Sequence, residues 1–443
     1  MKKYFFLSVA VALGALTMTS CGDDDDNKDG NDTGFNIKVT TPVVDQDTYA
    51  PVTTGYDNKA FGEAAIDGCA ALEGELTKAN NAISGASLSE TQEAYLYKVL
   101  ENVVSNVIVP TYTQLADETE ALESTLNGLT VNSITQAQIN AACDDFKKAR
   151  QYWERSEAFL GGAASDFDVD PTIDSWPLNR SLLLSYFNNG MNDEMLEDAT
   201  ILGFHALEFI LFRNGQPRKV AELQANDTYK NFEHITGAQE LAYAQTICTL
   251  LKQRTFQLQV AWEGETSANA ARVAVVKEAG LDYTTEKGLS YGDNLKKAGL
   301  DSKSTFPTLK DAIAQLLSDD EGSCFAICSE VGSAKIANPF SSGDISYVES
   351  PYSYNSISDF RDNIRSIRNI WLGSTDKTAN QYSFHTFFAS VGKDDVNTKV
   401  ENGYVKAIEA ISGMPAPFVK YCSVVWGKDF DDPDNWDSIS EEE

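Results

Sequence analysis

Ala199-Thr200-Ile201-Leu202-Gly203-Phe204-His205-Ala206-Leu207-Glu208-Phe209-Ile210-Leu211-Phe212 is apolar at almost every position. A helix that is apolar on every side is a buried helix. This run therefore predicts a core helix that carries two ionisable groups, His205 and Glu208, into an interior. Three residues apart, they share one helix face, with Cβ atoms about 5–6 Å apart. Burial of such groups is costly unless they are paired or bind something. The chain has only three histidines, so the placement calls for an explanation.

Working outward, helical periodicity dominates and strand-like alternation is almost absent. Ser89 with Gln92 three residues on reads as a capping box opening a helix that runs to Pro110. Thr135–Leu160 is the clearest amphipathic segment, with Ile139, Ala142, Phe146, Ala149, Trp153 and Leu160 on one stripe and Gly161-Gly162 at its end. Asp166–Arg180 reads as a polar loop, and Asn192–Phe212 as helix. Further helices are expected at about 237–263, 268–277, 309–330, 356–371, 393–411 and 418–425. At 443 residues the chain exceeds one ordinary core. The expectation is an all-α protein of two similar four-helix bundles with a cleft between them, the first over 51–235 and the second over 236–430.

Charge excludes some partners. A net charge of −31 argues against nucleic acid and against an anionic membrane surface. At the N-terminus, Lys2-Lys3 precede an apolar run, Tyr4–Leu16, too short to span a membrane. Thr19-Ser20-Cys21 follow. The segment 1–21 resembles a bacterial lipoprotein signal with Cys21 as the lipidated residue, although Met18 stands where leucine is usual. Asp23–Asp26 resemble a surface-export signal; the plain alternative is a solvated tether over 22–50. Either reading places the protein on an outer membrane, at the cell surface or on the periplasmic face. The remaining six cysteines sit mostly in helical apolar patterns, where thiols act as small hydrophobes. Residues 431–443 form an acidic tail.

Three other clusters carry chemistry. Arg150, Trp153, Glu154 and Glu157 place charge on a core-facing stripe, the mark of a crevice, against the alternative of an i,i+4 surface pair. Asp174, Trp176 and Asn179 lie in the polar loop, where large aromatics often bear function. Asp359–Gly373 is dense in Arg and Asn, with Asn363 beside an Ile364/Ile367/Trp371 stripe. The two-histidine HExxH signature of zinc peptidases is absent, because position 206 is Ala. From the residues alone, His205 and Glu208 are equally readable as two metal ligands or as a structural ion pair.

Gly203-x-His205-x-x-Glu208 resembles the GxHxxE motif of the imelysin-like superfamily. So do its companions Val107-Ile108-Val109-Pro110-x-Tyr112, Ala149-Arg150-x-x-Trp153-Glu154-x-Ser156-Glu157-Ala158-Phe159-x-Gly161, Asp174-Ser175-Trp176-Pro177 and Asn363 with Ile370-Trp371-Leu372-Gly373. The resemblance implies two helical bundles, a functional site where they meet, and a link to bacterial iron uptake. The expected site is Gly203, His205, Glu208, Arg150, Trp153, Glu157, Asp174, Trp176 and Asn363, with no catalytic residue assigned. His205 and Glu208 are the expected ligands of an iron or other divalent ion. The expected partners are iron or an iron complex and envelope uptake proteins. The family has also been grouped with metallopeptidases. Catalytic zinc needs three protein ligands plus water, and no third ligand is visible in the sequence. A binding protein is therefore favoured over an HxxE metallopeptidase, with a structural surface protein as the remaining reading.

Overall fold

The apolar stripes assemble into helices with few exceptions. The computed structural model describes residues 35–46, 48–49, 58–190, 192–226, 235–342 and 347–422. Cys21, the acidic tether up to Gly34 and the acidic tail lie outside the described residues. The principal helices are α1 (Asn58–Ser84), α2 (Glu90–Val103), α3 (Val109–Leu126), α4 (Gln136–Glu154), α5 (Gly203–Leu211), α6 (Gly237–Glu263), α7 (Cys324–Glu330), α8 (Ser356–Leu372), α9 (Phe384–Ser390) and α10 (Asp394–Gly413). The only strands among the described residues are a two-residue pair, Phe212–Arg213 with Gln216–Pro217. The fold is all-α. Among the described residues no helix is long and apolar enough to cross a membrane.

Local chemistry sets the boundaries. The Ser89 capping box opens α2, with the Ser89 side chain accepting from Gln92 N and the Gln92 side chain accepting from Ser89 N. Pro110 does not end the chain's helical course. A π-helical turn, Val104–Ile108, directly precedes α3, so the i→i−4 register is already interrupted where the proline N–H is missing. The expected helices 135–160, 192–212 and 309–330 are each shorter or interrupted. The first stops at Glu154 and continues through a 3₁₀ turn, Glu157–Phe159. The second is helical only from Gly203, after separate 3₁₀ turns. The third divides into Leu309–Leu317 and α7, with Ser323 capping α7 through its side chain.

From Phe35 onward the chain forms one unit. Within it α3, α4, α5 and α6 pack on one another, while α1, α7, α8 and α10 pack on one another. The boundary expected near residue 235 does not separate these sets: α6 lies on α3, and α1 lies on α10. Apolar faces pair by shape, irrespective of chain order. The α1–α10 approach is close because Gly68 faces the Ala407 backbone, where an added Cβ would sit 3.2 Å from Cα. Contacts between α4 and α8 join the two sets.

Residues 35–46 run along the α9–α10 side. Ser390 Oγ accepts from Lys38 N at 2.8 Å, Glu401 Oε2 accepts from Val43 N at 2.8 Å, and Tyr404 OH donates to Val43 O at 2.6 Å. Asp45 is buried between Arg365 (3.0 Å) and Arg368 (2.5 Å). Burial raises the Asp45 carboxyl, but the two guanidiniums outweigh it and hold the group below its ordinary range. Cys69, Cys143, Cys248, Cys324 and Cys328 are free thiols, and with Cys422 all six cysteines among the described residues are buried.

Candidate functional site

The site begins with a glycine. Gly203 has φ +73°, and a Cβ added there would fall 2.1 Å from the Ile173 carbonyl oxygen. Only glycine lets the first turn of α5 abut the backbone immediately before Asp174. That abutment brings His205, two residues on, to Asp174, with Nε2 3.2 Å from Oδ1. We expect Gly203→Ala to lose about 1–3 kcal/mol from the left-handed φ alone. The overlap adds to that, so the loss read from urea denaturation should exceed the ~1 kcal/mol of an ordinary substitution.

The two motif residues have different neighbours. Glu208 is wholly buried and accepts from Ser353 N (2.7 Å) and Ser353 Oγ (2.6 Å) through Oε1. Its Oε2 lies 3.3 Å from His205 Nδ1. A carboxylate facing Nδ1 favours the tautomer that donates there, which directs the Nε2 lone pair toward Asp174. His205 Nε2 is buried and makes no hydrogen bond. Two electron-rich atoms 3.2 Å apart are stabilised by a cation shared between them.

Arg150 organises the rest. It is fully buried on α4 and pairs with Asp174, Glu349 and Glu154 (2.5 Å to Glu154), with Asp359 at 3.6 Å from Nε. Trp153, one turn on, donates its indole N–H to Asp174 Oδ2 at 2.6 Å. Asn363, on α8, donates to Glu154 Oε2 and fixes that carboxylate from the opposite side. Lys335 lies on a π-helical stretch, Val331–Ala337, which follows α7 and packs on α1. It donates to both oxygens of Glu349 at 2.9 Å and stands 5.7 Å from the centre of the Trp176 ring. The structure thus brings Arg150, Trp153, Asp174, Trp176, His205, Glu208 and Asn363 into one connected cluster, with Glu157 at its edge.

Sequence reasoning missed Glu349, Lys335 and Ser353. Lys335 had a visible signal: with Cys328 and Val331 it falls on the buried stripe of its segment. Glu349 and Ser353 lie in an irregular stretch, where no periodicity marks an inward-facing side chain.

Negative charge is in surplus. Glu154, Glu157, Asp174, Glu208, Glu349 and Asp359 are all buried, against Arg150 and Lys335 as buried cations within the cluster. Burial pushes Glu154 up to about 7, with Arg150 opposing. Burial likewise raises Glu157 and Asp359 well above the carboxylate range, and takes half-buried Asp170 up to about 6. Glu349 goes the other way: burial raises it, but Lys335 and Arg150 outweigh burial and hold it low.

A carboxyl raised from 4.5 to about 7 binds its proton in the folded chain where the unfolded chain has released it. Its stability contribution is complete below about 4.5 and is lost as pH rises through about 7. Metal-free protein should therefore lose stability between pH 5 and pH 7.5. In Glu154→Gln that slope should flatten, as read from urea midpoints across the range.

Two sets of ligand atoms lie within 4.8 Å of one another: Asp174, His205 and Glu349, and Glu154, Glu157 and Asp174. The first offers one imidazole nitrogen and two carboxylates, a donor set suited to iron, manganese or zinc. A metal there would share Asp174 and Glu349 with Arg150. The unpartnered His205 Nε2 is the observation that fits a metal to this set.

Residues 108–434 match the imelysin family model, which carries a peptidase label. The chain is similar to iron-regulated protein A of Synechococcus elongatus, at 25% identity over 288 residues, covering 65% of this chain and 67% of that protein. A crystal structure described as an iron-regulated protein A precursor from Parabacteroides distasonis superposes with a TM-score of 0.55 at 23% identity, covering 74% of this chain and 96% of the other. An imelysin-like protein from Psychrobacter arcticum gives a TM-score of 0.42 at 13% identity, over 74% of this chain and 94% of its own.

Proposed function

We propose a function from one premise: this chain belongs to the imelysin family. The reading is an exported, lipid-anchored protein that binds iron, as the ion or a small complex, at the Asp174–His205–Glu349 set. The observation that carries it is the buried His205 Nε2, without a hydrogen bond and facing Asp174. The relatives named for iron regulation supply the choice of metal. Glu208 acts as the positioning residue, holding the imidazole from Nδ1 while Ser353 holds Glu208. Arg150 and Lys335 gather the carboxylates and neutralise part of their charge. Bound iron would supply the remaining positive charge. The contacts between α4 and α8 support a reading in which the site lies between the two helical sets.

Equilibrium dialysis of the full chain tests this, against ferrous iron under anaerobic conditions and separately against ferric citrate. One saturable iron per chain in either form supports the reading; no saturable uptake of either overturns it. The anchor is tested by palmitate labelling in the native host, where label should appear on the wild type and be lost in Cys21→Ala. Label retained in that variant would move the anchor elsewhere.

A further inference from the structure

Two clefts open beside the buried cluster, and both are lined by Glu157, Asp170 and Glu330. The inner, of about 200 Å³, also reaches Asp174, Trp176 and Lys335. The outer, of about 600 Å³, adds Asp320 and Glu321, and every charged side chain lining it is a carboxylate. An acidic surface on a chain of net charge −31 means little by itself.

Glu157 is the feature that points to a ligand. It is only 4% exposed, lines both clefts, and makes no hydrogen bond or ion pair with any described residue. Its position is built in: Ser366 Oγ accepts from Ala158 N at 3.1 Å, and Ser156 Oγ donates to Trp153 O at 2.6 Å, pinning the turn on both sides of it. Asp170 also makes no side-chain hydrogen bond or ion pair with a described residue. Lys335, the one cation lining either cleft, is committed to Glu349 at 2.9 Å and Glu330 at 3.3 Å. A buried carboxyl with no partner in contact keeps its proton and leaves its hydrogen bonds unmade, unless something positive reaches it and lets it ionise.

We propose that Glu157, Asp170 and Glu330 form a second cation site at the cleft mouth, holding a hydrated divalent cation. The three carboxylates do not converge within 4.8 Å of one another, so the ion meets them partly through its bound water; all-oxygen donors of this kind suit magnesium, calcium or manganese rather than a metal that seeks imidazole. The outer cleft is roomy at about 30 Å³ per water, so the ion keeps much of its water shell. This site shares no residue with the His205 set, although the inner cleft reaches Asp174 of that set, and it does not depend on iron binding there.

The test uses Mn²⁺ and the full chain, with free Mn²⁺ read by electron paramagnetic resonance. Wild type should bind Mn²⁺ saturably. His205→Ala should retain at least one Mn²⁺, whereas Glu157→Gln with Asp170→Asn should weaken binding at least tenfold. Glu330→Gln, at a half-exposed side chain, should weaken it severalfold without altering the circular dichroism spectrum, which keeps the test open if the double variant misfolds. Wild type binding no Mn²⁺, His205→Ala losing all of it, or Glu330→Gln and Asp170→Asn each leaving the affinity unchanged would each overturn the proposal. Iron binding at the His205 set is read separately, so the two readings fail independently.

Discussion

Arg150→Met should be among the most destabilising single changes in this chain, at about 3–5 kcal/mol. The guanidinium is fully buried and is paired with Asp174, Glu349 and Glu154 together. A methionine fills much of the volume, so the loss is electrostatic rather than a cavity. Three buried carboxylates would be left around an apolar side chain, with only Lys335 to answer Glu349. They have one escape, which is to take up protons. The penalty should therefore be smaller at pH 5 than at pH 8, because protonation of Glu154 and its neighbours is within reach at the lower pH. Urea denaturation at both values checks this. A loss below ~1 kcal/mol at pH 8 would show that the carboxylates are neutral in the native protein and that Arg150 is dispensable. Adding Glu349→Gln to Arg150→Met should recover part of the stability, since it removes one stranded charge. A double-mutant cycle isolates that coupling.

The legibility of this site in the sequence follows the physics of each element. Helix α8 was readable to within a residue because its Ile364/Ile367/Trp371 stripe repeats over about two turns between clear ends. The stretch 199–212 was readable as buried but not as broken. Burial on all sides removes the amphipathic phase that would mark a boundary. The break at Gly203 is instead set by the Ile173 carbonyl, thirty positions away in the chain. His205 and Arg150 could be singled out as charge on an apolar background, and Asp174 by its place beside Trp176 in a polar loop, yet nothing in their spacing gave the Asp174–His205 distance. Glu349 comes from an irregular segment and carries no local signature. It becomes visible only when the fold sets it against Arg150 and Lys335. The same limit applies to helix pairing, since the α1 and α10 stripes do not reveal that each is the other's partner.

His205→Ala should reduce iron affinity by more than 100-fold, and Glu208→Gln by about 10–100-fold. The order follows from the geometry. His205 presents Nε2 beside Asp174, so its removal deletes a donor from the set. Glu208 acts through the ring: its Oε2 stands 3.3 Å from Nδ1 while Ser353 holds its other oxygen. A glutamine that keeps its oxygen toward Ser353 turns its amide N–H₂ to the ring and favours the opposite tautomer, with the Nε2 lone pair occupied by a proton. Ser353→Ala removes the hydroxyl bond but keeps the backbone one, and should cost less than Glu208→Gln. A purely structural His–Glu pair predicts a different pattern. All three variants would then lower the urea midpoint in proportion to the bonds lost, and iron affinity per folded molecule would stay at the wild-type value. Measuring iron affinity and urea midpoint on the same three preparations separates the cases. If affinity is flat across the series while stability falls, His205 is part of the core's wiring, and iron binds elsewhere or not at all. If affinity falls in the order His205→Ala, Glu208→Gln, Ser353→Ala, faster than stability does, the imidazole is a ligand and the carboxylate behind it sets its tautomer.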